Sequence, residues 1–399
     1  MISLTRAHKY ISTLQPLKPV IVSLDNGLGL VCTEDMHARS NCPSLDSSLK
    51  DGFAVLSTDI AEASPANPVT LTVAGSLTAG ADADSHRVTT GTAVRIMTGA
   101  PIPSGATSVL ASEFSQVKGN LVTIRADAGV GRNILFKGND IEQDQEVLDR
   151  GEILGPAHLG LLAAAGLDEV SCHPLPKVAV AATGSELVWP GEPVTPGKVA
   201  ASNMVTAAAV LRAQGISAST VLLRDNLDHL QEQFVRLVDQ VDVLITCGGV
   251  LDGDKDLTLR AMEAIGMEKI FHRVRIGPGK GACMGLVGNT VVFNLPGGPP
   301  SNHVALLLLA MPGVRRLLGF KDFLPRKRKV VVTEELAGQH NWTQLVYGGT
   351  KYENGSLLAV PLHSMRRLAA MAAADVLIEI PEGCGMIEKG TAAEAWSIR

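Results

Sequence analysis

Between residues 178 and 320 the hydrophobic pattern alternates between two periods. Residues 178–183 (VAVAAT) and 241–246 (VDVLIT) are nearly unbroken apolar runs. A parallel strand covered on both faces reads this way. Between them, residues 227–240 place Leu227, Leu230, Phe234, Leu237 and Val238 at helical spacing. That spacing predicts a helix, and a second is predicted over 204–215 with Ser202 or Asn203 as its cap. Strands are expected over 216–223, 269–276, 281–287 and 290–296, and helices over 257–266 and 301–319. Strands alternating with helices predict βαβ units and a mostly parallel sheet.

The flanking regions carry a different pattern. A short helix over 4–15 ends before Pro16, and 20–32 alternates loosely. Residues 53–130 hold short strand-like runs, 69–77, 91–99, 107–112 and 121–127, between Gly, Pro and Asn turns. They predict a small antiparallel domain. Residues 155–167 predict a helix, with Pro156 in its first turn and Gly166 at its C-terminal side. Pro325-Arg326-Lys327-Arg328-Lys329 reads as a solvated boundary. Beyond it, 330–399 is strand-rich and suits a small β-barrel or sandwich. The expected class is multi-domain, α/β plus β.

Composition narrows the functional classes. At 399 residues, several domains are expected. The net charge of −5 and 4% aromatic content leave no basic or stacking platform for nucleic acid. The longest apolar stretch in the C-terminal half, 304–312, is far short of a membrane span. Six scattered cysteines form no C-x-x-C pair and read as reduced thiols of a cytoplasmic protein.

Three loops leave predicted strand ends and run toward helices: Thr183-Gly184-Ser185-Glu186, Gly248-Gly249 through Asp256, and Pro296-Gly297-Gly298-Pro299-Pro300-Ser301. Ligands of such sheets sit at the carboxyl ends of the strands, and helix N-termini attract anions. Asp225, after strand 216–223, belongs to the same edge. A fourth loop, Gly277-Pro278-Gly279-Lys280-Gly281, adds a cation suited to a phosphate or oxyanion. Neither a Walker loop nor G-x-G-x-x-G is present, and Leu257 stands where a calcium loop needs glycine. Taken singly, each loop is an ordinary helix-entry turn; together they predict a phosphate- or nucleotide-ligand site.

Several segments resemble the MoeA family, the molybdopterin molybdenumtransferases. They are SLDSSLKDGFAV (44–55), GTAVRIMTGAPIPSGATSVL (91–110), KGNDI (137–141), ATGSEL (182–187), DVLITCGGVLDGDKD (242–256), RIGPGKG (275–281) and NLPGGPPS (294–301). Their order and spacing hold over most of the chain. The resemblance implies four regions: an elongated domain (17–43 and 139–171), a β-rich insertion (44–138), an α/β molybdopterin-binding domain (1–16 and 172–322) and a C-terminal β-barrel (323–399). It implies a homodimer with each site shared between chains, and adenylylated molybdopterin, molybdate and Mg²⁺ as ligands. Asp51, Asp140, Glu186, Asp225, Asp256 and Lys280 match family site positions and are the expected catalytic residues. Asp225 and Asp256 are the expected metal ligands. Thr183, Gly184, Ser202, Asn203, Gly248, Gly249, Pro296, Gly297 and Ser301 are the expected cofactor-binding residues.

The chain departs from the family pattern at several points. Gly277 replaces the first lysine of K-P-G-K and Gly281 the proline after it, while Lys280 matches the second lysine. Ser185 and Ala201 replace acids, Gly298 replaces an asparagine, Lys50 a methionine, and Ala369-Ala370 a serine pair. The segment 341–345 lacks an arginine. Three functions follow: a molybdenum-inserting transferase acting with other enzymes of the cofactor pathway, a non-catalytic molybdopterin or nucleotide carrier or sensor, and a molybdopterin adenylyltransferase.

Overall fold

The computed structural model describes residues 1–249 and 257–398. The chain forms two compact units, one of residues 1–20, 29–33 and 171–399, the other of residues 21–28 and 34–170.

The larger unit is built on a six-stranded sheet in the order Ala218–Leu223, Val178–Thr183, Val243–Cys247, Thr290–Leu295, Cys283–Val287, Glu268–His272. The first four strands are parallel, and the last three meet as antiparallel neighbours. The mostly parallel α/β sheet expected from the alternating pattern is present. Its unbroken apolar strands serve two cores at once. Val178, Val180, Val243 and Ile245 point to one layer with Leu211 and Leu309. Ala179, Ala181 and Leu244 point to the other with Leu230, Phe234 and Met262. Period-2 alternation along a strand whose two faces are both apolar produces this two-sided burial. Among the described residues, no helix is long and apolar enough to cross a membrane.

The structure changes several expected boundaries. The first helix is Leu4–Ile11, capped by Ser3, whose Oγ accepts the Arg6 N–H at 3.2 Å. The 204–215 helix starts earlier, at Ser202, with Ala201 in the cap position and no side-chain cap. Asn203 lies inside the helix instead, and its Nδ2 donates to the Gly297 carbonyl at 2.8 Å. The expected strand 269–276 is broken in two. Glu268–His272 joins the α/β sheet, whereas Ile276–Gly277 pairs with Thr343–Gln344. Arg273 takes a left-handed backbone conformation at φ 66°, which ends the extended run.

The 301–319 helix begins at Pro299 and runs to Leu317 through one π-helical turn, Leu306–Ala310. Pro312 explains that turn. It has no N–H to offer the Leu308 carbonyl four residues earlier, and its ring crowds that carbonyl. His8 Nε2 lies 2.9 Å from Leu308 O and acts as the donor.

A closed five-stranded barrel follows: Thr343–Glu353, Ser356–Pro361, Lys327–Val332, Ala392–Ser397 and Val376–Ile380, which returns to the first strand. Closure leaves the sheet no free edge. Its interior holds Val330, Val332, Ile378 and Ala395. Leu345, Tyr347, Leu377 and Trp396 pack instead into the core shared with the α/β sheet.

The smaller unit carries a six-stranded sheet in the order Ser108–Ala111, Gly52–Val55, Thr92–Ile96, Val69–Leu77, Leu121–Ile124, Ser115–Lys118. It is antiparallel as expected, with one exception. Val69–Leu77 and Thr92–Ile96 run parallel, because the chain between them is too long for a hairpin and crosses back through a short turn at Ala83–Ser85. On that crossing His86 lies flat on Gly75, where a Cβ would come within 2.3 Å of the imidazole. The helix expected over 155–167 is Pro156–Ala164, and Gly166 takes φ 80° after it.

Candidate active site

Four neighbouring parallel strands end level with one another. Thr183 pairs with Leu223, Ala182 with Cys247, and Cys247 with Leu295. Parallel pairing therefore delivers the loops after them to one edge, although they are far apart in sequence. Two adjoining cavities open there. One, of about 610 Å³, is lined by Thr183, Gly184, Glu186, Lys198, Ser202, Asn203 and Asp225. The other, of about 710 Å³, is lined by residues 276–281, Pro296, Gly297, Gly298, Ser301, Gln339, Trp342 and Gln344. Gly249 and Gly297 line both.

The glycine pair is required by close backbone approach. Gly248 takes φ 117°, and a Cβ there would lie 2.6 Å from the Thr183 carbonyl. Gly249 takes φ 62°, and its Cβ would lie 2.4 Å from Thr258 Oγ1. Beneath them Thr183 and Thr258 share a buried hydroxyl–hydroxyl bond of 2.8 Å. The Gly248 N–H donates to Leu295 O at 2.9 Å, which hooks the turn onto the next strand.

In the first cavity Asp225 and Ser185 hold each other. The Ser185 N–H donates to Asp225 Oδ2 at 3.0 Å, and the Asp225 N–H donates to Ser185 Oγ at 3.2 Å. Glu186 folds its carboxylate back over Gly184, where a Cβ would be 2.6 Å from it. Lys198 donates to the Ser185 carbonyl at 2.6 Å. Among the described residues the wall thus combines two carboxylates with one ammonium.

The second cavity is held from beneath. Asn203 donates to Gly297 O and Asn302 to Pro296 O at 2.9 Å, so two carboxamides fix the Pro-Gly-Gly turn. Pro299 and Pro300 carry no N–H, so this helix start offers fewer donors to an anion than a helix start usually does. Lys280 is exposed, its ammonium 5.4 Å from the centre of the Trp342 ring. Behind the turn, the Tyr347 hydroxyl donates to Pro300 O at 3.3 Å and stands 3.1 Å from His303 Nδ1. Burial pushes the Tyr347 hydroxyl well above its ordinary pKa and the His303 imidazole below it.

Asp51 and Asp140 belong to the smaller unit. Asp51 Oδ1 accepts the Thr98 N–H at 2.7 Å and the Thr98 hydroxyl at 2.8 Å. The Thr98 N–H first, then its hydroxyl, holds this exposed carboxyl below its ordinary pKa. Asp140 is exposed, and its N–H donates to Cys42 O at 3.0 Å. Asp256 lies outside the described residues, as do Asp252 and Asp254.

Sequence reasoning missed Lys198, Gln339, Trp342 and Gln344. Lys198 sits in a Pro- and Gly-rich excursion without periodicity. The other three lie on a barrel segment that reaches the cleft through its pairing with Ile276–Gly277.

The fold and cleft define an α/β protein with two polar cavities along the carboxyl edge of its sheet, one of them lined in part by a barrel segment. Comparison with known proteins makes the class specific. Residues 2–166 match the MoeA N-terminal region (domain I and II), 179–316 a probable molybdopterin binding domain, and 329–398 the MoeA C-terminal region (domain IV). The chain is 33% identical over 393 residues to molybdopterin molybdenumtransferase 2 of Mycobacterium tuberculosis, covering 96% of each. It is 31% identical over 389 residues to molybdopterin molybdenumtransferase of Bacillus subtilis, covering 95% of this chain and 89% of that one. A molybdopterin biosynthesis MoeA protein from Pyrococcus horikosii superposes with a TM-score of 0.83 at 29% identity, covering 100% of this chain and 99% of that one. The chain belongs to the MoeA family.

Proposed function

We propose that this protein works in molybdenum cofactor biosynthesis as a molybdopterin molybdenumtransferase, taking adenylylated molybdopterin and molybdate as substrates and releasing AMP. The observation that carries the reading is the paired cavity at the ends of four level parallel strands, in a chain aligned over nearly its whole length with proteins of that name. The first cavity holds the phosphoanhydride. Lys198 and the N–H groups at the start of helix Ser202–Arg212 meet phosphate oxygens there. Lys280 meets an anionic oxygen in the second cavity. Asp51, Asp140 and Asp256 complete the catalytic set in this reading. The protein acts in the cytoplasm as a homodimer whose sites take residues from both chains.

The donor set fits Mg²⁺, which binds through one or two carboxylates plus phosphate oxygens and water. Glu186 and Asp225 supply carboxylates in the first cavity, with Asp256 as the further expected ligand. Among the described residues, the side chains of a three-acid cluster converge instead at Asp35, Glu146 and Asp149 in the smaller unit. The first cavity therefore suits a cation that shares its coordination with substrate phosphates. Bound there, the ion neutralises phosphoanhydride oxygens and makes AMP a better leaving group.

The test is incubation of purified protein with adenylylated molybdopterin, molybdate and Mg²⁺. AMP and metal-loaded cofactor are the expected products, and their absence beside a working relative sinks the reading. A second reading, a carrier that binds without turnover, is favoured by one observation: among the described residues, Lys280 is the single cation lining the second cavity. Tight binding of the nucleotide with no AMP release identifies it.

A further inference from the structure

The second cavity is poor in charge and rich in backbone. Among the described residues, its walls are largely glycine and proline, with one isoleucine, one lysine, two glutamines, a serine and an indole. Among the described residues lining either cavity, Trp342 is the one aromatic side chain. The protein's other tryptophans are placed elsewhere, Trp396 in the core and Trp189 on an exposed loop outside these walls.

Trp342 is also firmly held. Its backbone N–H donates to Gln339 O at 3.0 Å, and the backbone N–H of Thr343 donates to Arg275 O at 3.1 Å. Thr343 and Gln344 pair with Ile276 and Gly277, which locks the indole-bearing turn against the lysine loop. Gln344 Oε1 accepts the Gln339 N–H at 2.8 Å, which orients the carboxamide and leaves its Nε2 as the donor. The half-buried indole lines the cavity, with the Lys280 ammonium 5.4 Å from its ring centre, and an aromatic face carries negative π-density that a flat ring can stack on. An aromatic side chain on a backbone-anchored turn, a neutral hydrogen-bond donor and glycine walls suit a flat nitrogen heterocycle better than a bare tetrahedral dianion.

We propose that Trp342 is the stacking face for the flat nitrogen heterocycle of the substrate and so a specificity-determining residue of this site. Gln344 meets the heterocycle's edge, and Lys280 meets the anionic group attached to it. The inference rests on the reading of the cleft as a pterin-nucleotide site and adds which wall takes a ring. Pterin and adenine share this chemistry, and the probes below separate them.

Calorimetric titrations of the full chain with neopterin, AMP and ribose 5-phosphate test it, in wild type, W342F, W342L and W342A. The alanine and leucine variants are expected to weaken one heterocycle about tenfold or more, the phenylalanine variant by less than about threefold, with ribose 5-phosphate unaffected. Loss for neopterin alone assigns the wall to the pterin, and loss for AMP alone to adenine; either supports the proposal. Unchanged affinity for both in W342L overturns it, as does a phenylalanine variant as weak as leucine. If W342A does not fold, the comparison of leucine with phenylalanine decides. AMP release that continues in W342L with unchanged KM refutes the stacking role and leaves the transferase reading standing. A wild type that binds neither heterocycle removes both.

Discussion

Gly277 and Gly298 have open space where a side chain would go; nothing lies within 4 Å of a Cβ built at either position. The family's lysine and asparagine are therefore absent without any packing reason, and both can be reintroduced. Gly277→Lys is expected to tighten molybdate binding about tenfold, since a charge-assisted hydrogen bond contributes about 1.5–3 kcal/mol; equilibrium dialysis measures it. Gly249 is the opposite case. Its left-handed backbone and the nearby Thr258 hydroxyl make Gly249→Ala destabilising by about 1–3 kcal/mol in urea unfolding. Asp225→Asn keeps an acceptor for the Ser185 N–H but removes the charge, and AMP release is expected to fall by ~10²-fold with little change in melting temperature. At this scale the sequence was readable where a residue type announces its constraint. Gly248-Gly249 marked a loop at the strand end, and the structure shows its backbone passing close to the protein's own Thr183 and Thr258. Lys198 and Trp342 announced nothing, because a lysine and a tryptophan in turns carry no periodicity.

At the level of elements, hydrophobic period located nearly every strand and helix of the α/β sheet, because strands covered on both faces have no alternative pattern. It failed where one backbone angle decides. Arg273 at φ 66° splits the strand-like segment 269–276 and hands its second half to the barrel. The π-helical turn before Pro312 was equally hidden, and the donor that meets its Leu308 carbonyl, His8, lies some three hundred residues away. That contact makes a pH prediction. Burial lowers the His8 pKa below its ordinary 6.5, and it lowers His303 as well. The unfolded chain therefore takes up these protons first as pH falls. Stability is fully present above 6.5 and is lost progressively below it. His8→Gln keeps a donor for Leu308 O, and its melting temperature should fall less than wild type between about pH 7 and about pH 5. His8→Ala leaves that carbonyl without its donor and should cost about 1–3 kcal/mol at neutral pH.

Taken whole, the larger unit joins an α/β sheet and a barrel through one apolar core. Leu345, Tyr347, Leu377 and Trp396 bury themselves with Phe293, Leu308 and Leu309. Composition pointed to separate domains, and the change of pattern near residue 325 pointed to a boundary. Pattern alone cannot show that two differently built regions share an interior. Removing residues 323–399 should therefore expose apolar core. The truncated chain is expected to bind a hydrophobic dye and lose cooperative unfolding, whereas a barrel with its own closed core would leave the rest intact. The full chain, measured by sedimentation, is expected to be a dimer.

Gly249 and Gly297, which line both cavities, have a consequence for how affinity is composed. Among the described residues these two glycines are all that the cavities share, so a single molecule long enough to reach from one to the other meets no side chain there. Such a molecule is bivalent: once one end is seated, the other samples its chamber at a high effective concentration. Two fragments supplied separately lack that tether, and each loses translational freedom independently. Adenylylated molybdopterin should then bind much more tightly than an equimolar mixture of AMP and molybdopterin. Cleavage of the link between the two ends would in turn turn one tight ligand into two weak ones, so that the reaction itself loosens the hold on its products.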